Sequence, residues 1–205
     1  MSPPKVVLLL LILSNPLTWG KQGKKPPQSP IEKIQSVANF DINQFAGKWY
    51  LLSVASECNY LKTNNHRVEA TLIQVYASRT TRGIGAMAVS TFRELDSICW
   101  EIKHSYQTNK ATGRFTLKAK GYMGQVEVVI AETDYHNYAI LYYQRRNKIT
   151  LKLYGRKTKV TNDIYRMFDV HVKKQGIDLE FIYPFPEYGF CEEADQFHIL
   201  NEVRR

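Results

Sequence analysis

An all-β fold with one α-helix is the class this sequence predicts: eight antiparallel strands running up and down into a closed barrel, with the helix packed outside near the C-terminal end. Three observations point there. From Gly47 onward the chain falls into short segments in which apolar and polar residues alternate. Stretches rich in Gly, Asn and Asp separate those segments. One late stretch, Thr161 to Gly176, leaves the period of two for a helical spacing.

Ahead of the repeating segments lie two stretches of different character. Residues 1–20 have the pattern of a secretory signal peptide: Lys5, the apolar run Val6 to Leu13, Pro16, then Gly20 with small Thr18 two positions before it. The run is too short to span a bilayer. The mature chain is therefore expected to be secreted and extracellular, with no direct membrane insertion. Residues 21–38, "KQGKKPPQSPIEKIQSVA", are rich in Lys, Gln and Pro and read as a flexible N-terminal tail. Residues 39–205 are expected to form one domain.

The clearest strand is "ICWEIKHSY", where Ile98, Trp100, Ile102, His104 and Tyr106 share one face and Cys99, Glu101, Lys103 and Ser105 the other. In "RFTLKAK", Phe115, Leu117 and Ala119 oppose Arg114, Thr116, Lys118 and Lys120. Similar runs are Lys48 to Ala55, Val68 to Ala77, Met87 to Leu95, Gln125 to Glu132, Tyr138 to Arg145 and Lys148 to Arg156. Turns carry Arg82-Gly83, Asp96-Ser97, Asn109 to Gly113, Gly121 to Gly124, His136-Asn137 and Arg146-Asn147. Closure of such a meander removes its exposed edges.

In "TNDIYRMFDVHVKKQG", Ile164, Met167, Phe168, His171 and Val172 fall on one helical stripe, with Thr161 or Asn162 to cap the start and Gly176 to end it. A helix outside a barrel must bury that stripe on the wall, so some strands need two apolar faces. "AILYY" and "ITLKLY" meet the need: Ile149, Leu151 and Leu153 can face the helix while Thr150, Lys152 and Tyr154 face inward. A ninth short strand is expected over Leu179 to Tyr183, stopping at Pro184.

Charge narrows the function classes only a little. The net charge of +9 falls to +8 when Lys5 leaves with the signal peptide, and the remaining Lys and Arg are spread along the chain apart from Lys21, Lys24 and Lys25. Such spacing gives a solvated basic surface with no nucleic-acid signature. His66, His104, His136, His171 and His198 show no metal-ligand spacing, and neither metal nor cofactor is expected. Glu192, Glu193 and Asp195 read as solvated surface.

Three short motifs, in order, make the chain resemble a lipocalin over about residues 39 to 200. Gly47-Lys48-Trp49 follows "NFDINQFA", Thr133-Asp134-Tyr135 lies between the sixth and seventh strands, and Arg156 ends the eighth in "LYGRK". The resemblance implies that Trp49 plugs the closed end of a lipocalin β-barrel beneath the Arg156 guanidinium. It also implies a calyx, lined by Phe92, Trp100, Phe115 and Leu117 from one half of the barrel and by Val128, Leu141, Lys152 and Tyr154 from the other.

Within the family, "AMAVSTFRELDSICW", "VVIAETDY" and "EYGFCEEADQFHILNEVRR" resemble the lipocalin subunits of complement. That resemblance implies an intrachain disulfide between Cys99 and Cys191, the first of which the alternation also puts on the outward face. Cys58 is then the odd cysteine of three, in the polar loop "ECNYLKTNNHR", and is expected to be exposed. The implied role is an interchain disulfide to the complement alpha chain of the same component, which would bring the subunit among the other components of the membrane attack complex. Tyr60, Lys62, His66 and Arg67 would supply noncovalent contacts.

Two other functions compete. A barrel of this size can enclose one small apolar ligand, which would make the chain a free extracellular carrier. Catalysis is not expected, and no residue is assigned to it. The synthase members of the family use a cysteine inside the second strand, and the position here is Thr71, a hydroxyl with no evident base.

Overall fold

A computed structural model describes residues 28–79, 85–109, 111–118 and 124–199. The signal peptide, the start of the tail, the turns at Arg82-Gly83 and Gly121 to Met123, and residues 200–205 lie outside the described residues.

The eight alternating runs form strands in chain order: β1 (Gly47–Ala55), β2 (Thr71–Arg79), β3 (Gly85–Leu95), β4 (Ile98–Thr108), β5 (Arg114–Lys118), β6 (Gln125–Thr133), β7 (Tyr138–Arg145) and β8 (Lys148–Gly155). Neighbours pair antiparallel around the ring, from β4 through β3, β2 and β1 to β8, β7, β6 and β5. The pairing of β4 with β5 through Gln107↔Thr116 and Thr108↔Phe115 closes the barrel. The helix is α3 (Asn162–Lys174), after the short α1 (Ile42–Phe45) and α2 (Asn59–Asn64).

Alternation sorts the core into two layers. Trp49, Ile73, Val89, Phe115, Leu117, Val128, Leu141 and Tyr154 pack inside. Ile140, Tyr142, Leu151, Leu153, Phe168 and Val172 form a second cluster between the wall and α3. The last two strands thus carry apolar residues on both faces, as a helix docked outside requires. Phe168 and Val172, from the predicted stripe, are fully buried there.

Four features differ from the sequence reading. The tail is not free from residue 28 onward: Pro30–Lys33 form a 3-10 turn whose Ile31 is buried in the outer cluster. The Arg114 guanidinium donates to the carbonyls of Ile31, Glu32 and Ile34, the Ile31 N–H donates to Gln144 Oε1 at 2.8 Å, and the Val37 N–H donates to the Ile130 carbonyl at 2.9 Å. Apolar residues every third position gave this stretch something to bury, and Arg114 satisfies the backbone oxygens that burial strands.

The ninth strand is shifted: Leu179–Phe181 make a 3-10 turn and β9 is Ile182–Pro184, paired with the far end of β1. Asp178 caps the turn by accepting from the Glu180 N–H, which holds the extended segment back by three residues. A tenth strand, β10 (Gln196–Ile199), runs parallel to β4 with Gln196 beside Trp100. It takes the stretch of β4 edge that β5, reaching only Gln107 and Thr108, leaves uncovered. Finally, the polar loop after β1 is helical over α2, with a Leu61 that reaches the inner cluster.

Candidate functional site

One end of the barrel is built shut. Trp49 is fully buried, its ring 4.9 Å from that of Phe45. Phe40 meets Phe45 and Phe115 edge-on and stacks on Tyr135. The indole N–H donates to the Phe45 carbonyl at 2.8 Å, so the buried ring has no unsatisfied polar atom.

Arg156 closes this end from outside. Its guanidinium carbon stands 3.7 Å from the Trp49 ring centre, a cation–π contact worth about 0.5–2 kcal/mol. The same group donates to five carbonyls: Tyr135 and Lys48 at 3.0 Å each, and Gln44, Phe45 and Ala46 at 3.0, 3.4 and 2.9 Å. A planar fork holds five donors in fixed directions, where a lysine ammonium offers three on a single atom. Burial holds the Arg156 guanidinium below its ordinary range, although Asp134 nearby favours the charge.

Thr133, Asp134 and Tyr135 make the turn that meets the fork. The Asp134 carboxylate accepts from the N–H groups of His136, Asn137 and Tyr138 at 3.1, 2.8 and 3.0 Å, and from Asn137 Nδ2 at 2.7 Å. Partial burial pushes this carboxyl up, and the bonds it accepts more than offset that, leaving it below the usual range. Thr133 Oγ1 donates to the Tyr138 carbonyl at 2.6 Å, and Tyr135 sits at φ 65°, a left-handed conformation that aims its carbonyl at Arg156.

The opposite end is more open. Trp100, Ile102, His104, Tyr143, Thr150 and Lys152 keep partial exposure, whereas Phe115, Val128 and Ile130 lower down are at most 1% exposed. Of the expected lining residues, Phe115, Leu117, Val128, Leu141 and Tyr154 pack in the inner cluster. Trp100 and Lys152 share the phase of their inward neighbours Tyr106 and Tyr154.

Phe92 does not belong with them. Met87 and Val89 of β3 face inward and the register to β2 runs without a shift, so Phe92 lies on the outer face, beside Leu72 and Glu101. The period of two gives the two faces of a strand but does not say which one is inside.

Above the buried floor sits a polar layer. The Tyr106 and Tyr143 hydroxyls are 3.4 Å apart, and Tyr143 also bonds Tyr154. Burial raises all three phenols above their ordinary range. Lys152 Nζ lies 4.5 Å from the centre of the Tyr143 ring. Burial first, and then the charge of Arg93, bring its ammonium down to about 8. Burial, with Lys152 and His198 adding repulsion, brings His104 to about 4.

The cysteines divide as the family resemblance implies. Cys99 and Cys191 are bonded, with Cα atoms 5.6 Å apart across a separation of 92 residues. The Cys99 N–H donates to Asp195 Oδ2 at 2.9 Å, and the Asp195 N–H donates back to the Cys99 carbonyl at 2.8 Å. Cys58 is free and half-buried rather than exposed. Its N–H donates to Ser56 Oγ at 3.2 Å, and its carbonyl accepts from the Lys62 N–H, so the residue is fixed as the cap of α2.

Around it Tyr60 is 64% exposed, and Lys62, His66 and Arg67 are exposed too. Lys62 also has an internal partner, its ammonium lying 4.1 Å from the centre of the Phe181 ring. Thr71 Oγ1 donates to the Glu69 carbonyl at 2.9 Å, a geometry that uses the hydroxyl proton structurally.

Comparison with known proteins bears on this arrangement. A solved structure of the siderocalin Ex-FABP superposes with a TM-score of 0.60 at 18% identity, covering 71% of this chain and 96% of that one, a likeness of fold. The complement component C8 gamma chain of Oryctolagus cuniculus is 45% identical over 200 residues, 97% of this chain and 96% of that protein. Protein AMBP of Bos taurus is 26% identical over 85% of this chain, which spans 50% of that relative's length. The model of the lipocalin / cytosolic fatty-acid binding protein family matches residues 46–187, from the start of β1 to just past β9. With a closed eight-stranded barrel, a helix outside it and an arginine laid on the tryptophan of its first strand, the chain belongs to the lipocalin family.

Proposed function

We propose that this chain is the secreted lipocalin subunit of a complement component. In this reading it is joined by a disulfide from Cys58 to the alpha chain of that component and enters the membrane attack complex with it. The observation that carries the reading is the 45% identity over nearly the whole of both chains to a complement C8 gamma chain. A second supports it: with Cys99 and Cys191 bonded to each other, Cys58 is the free thiol among the described residues. An odd cysteine in a secreted protein suits an intermolecular bond.

Cys58 stands at the rim with Tyr60, His66 and Arg67 exposed beside it, a surface for noncovalent contact around the bond. The expected partner is another protein chain rather than nucleic acid. No helix among the described residues is long and apolar enough to cross a membrane.

The test is a non-reducing gel of the native protein from plasma. A heavier adduct that reductant releases, and that Cys58→Ser abolishes, supports the tether. A wholly monomeric native chain defeats it.

One observation favours a second reading, a carrier of small apolar ligands: the inward residues near the open end keep partial exposure and so leave surface for a guest. Titrating Trp100 fluorescence with retinoids and fatty acids checks it, and the absence of any saturable change rejects it.

A further inference from the structure

The lumen holds an amine whose surroundings are unusual for a lysine. Lys152 is opposite Val54 of β1 and Leu141 of β7 in the ladder, both members of the inner cluster. Among the described residues it makes no ion pair, and its contact is the face of Tyr143. The titratable groups around it are Arg93 from β3, His104 from β4, and the phenols of Tyr106, Tyr143 and Tyr154, with His198 of β10 acting on His104. The charges that act on it or on its neighbour His104 are all cationic.

A structural lysine inside a protein is ordinarily paired with a carboxylate or reaches water with its head. Lys152 has no carboxylate partner among the described residues: partly exposed inside the barrel and between apolar walls, it sets its ammonium against the Tyr143 ring. Such an amine, desolvated and beside other cations, is the kind that reacts with carbonyl carbons.

We propose that Lys152 is a covalent capture site for apolar aldehydes that enter the open end of the barrel. Nζ attacks the carbonyl carbon, a C–N bond forms, and the carbinolamine loses its oxygen as water to leave an imine. No oxidant or reductant is needed. The tail of the aldehyde lies toward Trp100 and Leu141, and the reacting carbon meets the amine over Tyr143. With its ammonium brought down to about 8, a sizeable fraction of Lys152 is neutral near pH 7.4. That fraction exceeds an ordinary surface lysine's about a hundredfold. This inference does not depend on the Cys58 tether, and neither test can decide the other.

The test uses the purified full chain, decanal as probe and cyanoborohydride to fix the imine, read by intact mass and peptide mapping. The expected result is a first decyl group on Lys152, installed about a hundredfold faster than on any surface lysine. The rate of imine formation, read by passing timed samples into cyanoborohydride at one fixed pH, should level off just above pH 8 while surface lysines go on accelerating. Excess decanol, which fills the lumen without reacting, should protect Lys152 and leave the surface lysines unprotected. Lys152→Arg should lose the fast phase while its circular dichroism stays that of the wild type. Labelling spread evenly over the lysines, or a Lys152 rate that ignores decanol, overturns the proposal even if the variant fails to fold.

Discussion

Gly47 and Arg156 approach so closely that a Cβ built on the glycine would stand 3.0 Å from the Arg156 Nη1 atom. Gly47 also sits at φ +103°, a backbone region closed to side chains. Two demands therefore meet at the start of β1: a left-handed backbone, and room for a guanidinium that serves five carbonyls. Gly47→Ala should destabilise the fold by about 2–4 kcal/mol, combining strain with displacement of the fork. At roughly 2–4 °C per kcal/mol for a domain of this size, the loss is readable in a thermal melt.

Arg156→Lys keeps the charge and loses the fork. The carbonyls of Gln44, Ala46 and Tyr135 would lose their donor; the exposed Gln44 oxygen can turn to water, whereas Ala46 and Tyr135 are part-buried, and an acceptor left unmet costs about 1–3 kcal/mol. The expected total is about 2–4 kcal/mol, measured by urea denaturation. A double-mutant cycle with Trp49→Phe should show coupling between the two residues.

Removing the disulfide with Cys99→Ser and Cys191→Ser should cost about 2–5 kcal/mol, since the bridge closes a long loop in the unfolded chain. The effect should also be local. β10 is held to β4 by its parallel ladder, by the bridge and by the reciprocal Asp195–Cys99 bonds, so amide exchange at Gln196–Ile199 should accelerate most. Cys58→Ser, in contrast, should leave stability within about 0.5 kcal/mol.

Stability should depend on pH in three windows. His104 titrates at about 4 in the folded chain against 6.5 ordinarily, so the unfolded state binds the extra proton between those values. Stability is then lost as pH falls from 6.5 toward 4. Lys152 titrates at about 8 against 10.5, and by the same sign stability rises as pH climbs above 8. Above about 10 the raised phenols of Tyr106, Tyr143 and Tyr154 reverse the trend, because the unfolded state loses those protons first. Urea titrations from pH 4 to 11 should show an acid slope that His104→Phe flattens and an alkaline rise that Lys152→Met removes.

Truncating Phe168, buried between α3 and the wall, should cost about 3–5 kcal/mol, as for other large core aromatics. The fluorescence of Trp49, in the other apolar layer, should change little in the folded variant.

How much of this was legible beforehand follows from the range of each interaction. Alternation and turn residues are local, so the eight strands, the stripe of α3 and the two-faced β7 and β8 could be read from the chain. Motifs at fixed places brought Gly47, Trp49 and Arg156 together, because the family's geometry came with them. Phe92 could not be placed, since the inside of β3 is chosen by what packs against it. The strap from residue 28, the helical cap at Cys58 and the parallel β10 were equally out of reach, each depending on a partner more than forty positions away or on a solvent-facing helix with little apolar signal. Lys152 shows the division within one residue. Its inward phase was written in "ITLKLY", but the cations near it and the ring beneath it come together only once β3, β4, β7 and β8 close around a common axis. Sequence sets what each segment must bury, and closure of the barrel decides which side chains share the space inside.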